Sequence, residues 1–140
     1  MEYVCDADSG KTWFRIETEV EADQESELMD HAVAKHFRRE QEKAIASYQP
    51  TSTVYIEQNI GLKAHIQSAM PLFLTLRDSG GDGLATAMLP PGGQSDQSFN
   101  SIVVGKGNRD PYPEHSDAIK ALAAHFGLRL DRKDCFPYDR

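Results

Sequence analysis

The chain has 140 residues, of which 39% are hydrophobic and 26% charged, and it carries a formal net charge of −7. This is the size of one domain with apolar residues enough for a core, which excludes an intrinsically disordered chain. The acidic balance argues against a phosphate-binding face for nucleic acid and against docking on an anionic membrane.

Met1 to Asp6 lacks a basic start followed by a long apolar run, so no secretory leader is expected. Val4 opens a short strand that stops at the turn Asp6-Ala7-Asp8-Ser9-Gly10. Thr12 to Val20 then alternates at period two, with Phe14, Ile16, Thr18 and Val20 on one side and Trp13, Arg15, Glu17 and Glu19 on the other. The reading is a half-buried strand, paired with the first in a hairpin.

Asp23 reads as a helix N-cap with Glu25 and Glu27 in the first turn. One long helix is expected over about 24–48, its apolar stripe running through Met29, Val33, Phe37 and Ala44, with Pro50 as the stop. Thr51 to Glu57 is rich in β-branched and aromatic residues and is expected as a strand. Leu62, Ile66, Ala69 and Met70 recur at helical spacing, giving a short helix over 62–70, although a strand fits as well.

Leu72 to Leu76 and Leu84 to Leu89 form a hairpin around a glycine-rich turn. This apolar region, broken by Pro71 and Thr75, is too short to span a bilayer. Pro90 to Gln97 is a loop, and Phe99 to Val104 a strand. A second glycine- and charge-rich connection, Gly105 to Tyr112, leads into a helix over 113–126 that ends at Gly127. Leu128 to Leu130 reads as a short last strand. The sum is one α+β domain over 1–140, a largely antiparallel sheet packed by one long helix and one or two shorter ones.

Chemistry-bearing patterns are sparse. Gly105-Lys106-Gly107-Asn108-Arg109-Asp110 combines free backbone amides, two cations and a following helix N-terminus, the ingredients of a small-anion site. It matches neither a P-loop nor a dinucleotide fingerprint, and a flexible strand-to-helix turn with solvated charges, common for this composition, is the preferred reading. His115 lies among Asp110, Glu114 and Asp117, as an acid/base group or a metal ligand would, yet those carboxylates also suit a helix start. No nucleophile accompanies it.

His31 and His36 stand five residues apart on the expected long helix, off a common face and unlike an i, i+4 zinc pair. Cys5 and Cys135 form no metal half-site and are too few for the disulfide framework of a small secreted domain, so a reducing cytoplasm is expected. Trp13, on a face shared with charges, is a candidate protein contact or a residue covered by a loop.

The leading expectation is a non-catalytic binding or accessory protein, without cofactor or metal, that uses the loops Pro90 to Gln97 and Gly105 to Pro113 and possible partner or self-contacts at Trp13. The alternative is an enzyme on a small anionic molecule, with Lys106 and Arg109 holding the anion and His115, oriented by Asp110 or Glu114, moving the proton.

Overall fold

Alternation and turn chemistry produce the first hairpin as expected. In the computed structural model, which describes residues 1–140, β1 (Glu2–Ala7) pairs antiparallel with β2 (Lys11–Arg15). Ser9 and Gly10 close the turn at positive φ, 65° and 72°. β2 stops at Arg15, well before Val20, because Thr18 caps a helix instead of continuing the strand. Its hydroxyl accepts from the Glu21 N–H at 3.2 Å, while Glu21 accepts from the Glu17 N–H at 2.9 Å. Thr18-x-x-Glu21 is the spacing of a capping box, and it outcompetes the period-two pattern.

The segment expected as one long helix is helical but divided. α1 (Glu19–Met29) ends where Asp30 adopts a left-handed conformation at φ 52°, and α2 (Val33–Ser47) follows after a sharp break. Asp tolerates that conformation better than most side chains. The Ser26 hydroxyl accepts from the Ala34 N–H at 2.8 Å, so α1 itself caps the start of α2.

Residues 51–57 do not form the expected strand. α3 (Tyr55–Ala69) takes in the tail of that segment together with the expected helix over 62–70. Ser52 holds the first turn, its carbonyl accepting from the Gln58 amide at 2.7 Å. Gly61 lets the ring of Tyr48 lie against α3, where a Cβ would stand 2.2 Å from the Tyr48 hydroxyl. Helical side-chain anchoring therefore wins over local β propensity.

β3 (Leu72–Arg77) and β4 (Gly83–Leu89) form the second hairpin, and β5 (Ile102–Gly105) adds the far edge. The five strands are antiparallel throughout, in the order β1-β2-β3-β4-β5. α4 (Tyr112–Phe126) follows a single turn at Lys106–Asn108 and ends at Gly127 in a left-handed cap. Residues 128–130 add no strand; the tail instead makes a parallel bridge from Phe136 to Ile102 on the open side of β5.

Both faces of the sheet are covered, which corrects the expectation of a solvated face on β2. The larger core lies under α4, where Trp13, Leu74, Leu76, Leu89, Ile119 and Leu122 meet. The smaller lies under α1 and α2, around Ile16, Ala22, Phe37, Met70 and Phe73. Trp13 is 0% exposed and donates its indole N–H to the Ala118 carbonyl at 2.8 Å, so α4 rather than a partner covers it. The outlying element is the first half of α3. It buries no side chain fully and leaves Tyr55, Ile56 and Ile60 at 75%, 69% and 64% exposure.

Candidate functional site

A cavity lies where the α1–α2 break meets the β4–β5 edge of the sheet. Thr86 and Met88 on β4 pair with Val104 and Ile102 on β5, so these four side chains share the face that also carries Phe73. The α1–α2 break and the first turn of α2 overhang this corner, and Phe136 and Pro137 close it from the tail. The space is half-open and measures about 350 Å³. Its walls are mainly apolar, and their polar side chains are those of His31, His36, Thr86 and Asn108. Small-molecule sites commonly have this character: concave, apolar and marked by a few polar groups.

Behind the wall runs a buried polar chain. Glu25 is 0% exposed and accepts from Arg77 Nη2 at 2.6 Å through one oxygen and from the Thr86 hydroxyl at 2.6 Å through the other. Having given its only proton to the carboxylate, Thr86 can bond to His31 Nε2, 2.8 Å away, only as acceptor. His31 therefore carries its proton on Nε2. Its Nδ1 accepts a long 3.4 Å contact from the Val33 N–H. Both ring nitrogens are thus engaged and the imidazole is neutral.

Burial pushes the His31 pKa below its ordinary 6.5, against the pull of the Glu25 and Asp30 charges. His36 is likewise lowered, by burial and then by the cations Arg39 and Lys35. Arg39 Nη2 stands 3.0 Å from His36 Nδ1, and arginine only donates, so the His36 proton sits on Nε2. The chain from Arg77 through Glu25 and Thr86 to His31 fixes the α1–α2 break to β4 and so holds the cavity wall in place.

The lowered pKa values set a pH dependence. The unfolded histidines protonate near 6.5 and the folded ones only at lower pH, so the unfolded state binds more protons in between. Stability is full above about pH 6.5 and lost as pH falls through that value toward the folded pKa values. His115, lowered by burial and then by Lys11, acts in the same direction. Thermal unfolding followed from pH 8 to 5 should show a falling midpoint below about pH 6.5, with a shallower slope in His31→Gln. A flat profile in both proteins would remove the neutral-imidazole account.

The four residues expected to bind an anion make separate contacts, and none of them lines this cavity. Lys106 and Arg109 are exposed at the turn after β5, where the Arg109 carbonyl accepts from the Gly105 N–H at 2.7 Å. Asp110 accepts from the Tyr112 N–H at 3.0 Å and from Arg132 Nε at 2.9 Å, which ties the start of α4 to the tail. His115 lies elsewhere, its Nδ1 3.1 Å from Lys11 Nζ and its Nε2 3.9 Å from Glu114. Of that connection, only Asn108 reaches the cavity.

The remaining expectations also find places. His65 joins α2 and α3 by its 2.8 Å contact with the Ser47 hydroxyl, and His125 is exposed beside Phe126. Cys5 and Cys135 are free thiols facing the α4 core, and burial raises both pKa values, which disfavours the nucleophilic thiolate.

Sequence reasoning missed Glu25, Thr86, and His31 with His36 as a pair. One signal was available: Glu25 falls on the Ala22–Met29 side of α1, so a carboxylate occupies the apolar stripe. The histidine pairing had none, because a continuous helix separates His31 from His36 and only the break at Asp30 brings both to one wall.

Comparison with protein-family models, with curated proteins and with solved structures finds no match to this chain.

Proposed function

We propose that this chain is a non-catalytic binding module that holds a small apolar molecule in the cavity between the β4–β5 edge and the α1–α2 break. The observation that carries this reading is the cavity itself, about 350 Å³ with largely apolar walls. An apolar space of this size can hold an apolar guest, and unfilled it forfeits packing contacts along its walls. The chemistry of the walls supports binding over turnover. His31 has both nitrogens engaged, the lone pair of His36 accepts from Arg39, and neither Cys5 nor Cys135 lines the cavity, so no free base or thiol faces it. Catalysis of the general acid–base or nucleophilic kind needs such a group within reach of the substrate. The enzyme alternative rested on Lys106, Arg109, Asp110 and His115 converging; Asp110 instead pairs with Arg132, His115 contacts Lys11, and Lys106 and Arg109 are exposed.

A filled cavity tests the reading. Naphthalene should raise the thermal midpoint of the natural protein, whereas Val104→Phe should occupy the space from β5 and leave the variant's midpoint unmoved by naphthalene. A folded variant, judged by its amide spectrum, that still responds equally to naphthalene would place the guest outside the cavity and end the proposal.

A further inference from the structure

Resting on the cavity-binding reading, we infer that the natural occupant is an uncharged molecule of about two fused rings in bulk, bearing one hydrogen-bond acceptor that the His36 N–H recognises.

The size follows from the volume. An apolar cavity of about 150 Å³ takes one benzene ring. The present space is about 350 Å³, room for roughly twice that bulk. The charge follows from the walls, which include no carboxylate, ammonium or guanidinium group. A charge carried into the apolar part of this space would lose hydration without gaining a counter-charge, which costs more than an apolar contact returns. The two histidines do not supply one, since each is a neutral ring.

The acceptor follows from counting free donors. His31 donates to Thr86 and accepts from Val33, while Thr86 donates to Glu25 and accepts from His31. Neither has a proton left for a guest. His36 accepts from Arg39 at Nδ1, which leaves its Nε2 proton without a protein partner. Asn108 also lines the space, but it is exposed at the rim, where water competes for its amide. His36 is half-buried, so of the two free donors lining the space its N–H is the less open to water. Arg39, itself outside the cavity, selects the tautomer that provides it.

Three probes of matched bulk separate the elements of the inference: naphthalene, 2-acetonaphthone with a neutral acceptor, and 2-naphthoate with a charge. The natural protein should bind 2-acetonaphthone about three- to tenfold tighter than naphthalene, the worth of one hydrogen bond, and 2-naphthoate most weakly. His36→Leu should abolish the advantage of 2-acetonaphthone while keeping the affinity for naphthalene. His36→Gln, which restores an N–H donor, should recover part of it and guards against a fold defect in the leucine variant. Equal binding of naphthalene and 2-acetonaphthone by the natural protein would overturn the inference while the cavity reading stands. So would an advantage retained in His36→Leu, or 2-naphthoate as the tightest of the three. Failure of the natural protein to bind naphthalene at all would instead remove the cavity reading on which the inference rests.

Discussion

Glu25→Ala should lower the unfolding free energy by about 3–5 kcal/mol, a large fraction of the stability of a domain this size. Glu25 is wholly buried and both its oxygens accept short hydrogen bonds, one from Arg77 and one from Thr86. Removing the carboxylate leaves the guanidinium, only 17% exposed in its side chain, without its partner. It also frees the Thr86 hydroxyl, so the reason for the His31 tautomer disappears. The cost comes mainly from stranding a buried charge, and a Glu25→Leu, Arg77→Met double variant should therefore recover much of the loss. Urea unfolding of the single and double variants measures both effects. A loss under 1 kcal/mol in Glu25→Ala would mean that the chain from Arg77 to His31 does not hold the α1–α2 break. The same single variant should weaken naphthalene binding, because the break forms one wall of the cavity.

Trp13→Ala should cost about 3–5 kcal/mol and lower the thermal midpoint by on the order of 10 °C. The indole is fully enclosed between β2 and α4, and its N–H bridges to the Ala118 carbonyl. No reshuffling of one flexible side chain can fill the volume of an indole. Trp13→Phe should be milder, since it keeps most of the apolar bulk and loses the hydrogen bond. Calorimetric midpoints decide the matter. If Trp13→Ala left the midpoint within 2–3 °C, a drop well short of the cavity cost, α4 would not be docked on the sheet as described. Neither Trp13 variant should alter the cavity, which lies on the opposite face.

The contrast between these two residues shows what was legible in the sequence. The α+β class, the antiparallel hairpins and the helix over 113–126 were readable because period-two alternation, glycine turns and a proline at a helix start are local signals. Trp13 was not placed correctly because alternation reports two faces without saying whether the second is covered. Its burial depends on α4, about a hundred residues later in the chain. The strand expected over 51–57 failed where β-branched residues met an anchored helix start at Ser52 and Gln58. The cavity was illegible for a stronger reason. Its walls come from β3, β4, β5, the α1–α2 break and the tail, and no short window contains any two of its polar groups other than His31 and His36. The expected anion loop was a true loop with the expected composition, but composition does not say where side chains converge.

The most direct test of the account is a methyl-labelled NMR titration of the natural protein with naphthalene, because methyl groups mark both apolar regions that compete for it. The cavity contributes Val33, Met88, Ile102 and Val104, whereas the exposed start of α3 contributes Val54, Ile56 and Ile60. The account predicts saturable shifts confined to the first set, with one stoichiometric site. Shifts confined to Val54, Ile56 and Ile60, or no saturable shifts at all, would contradict it.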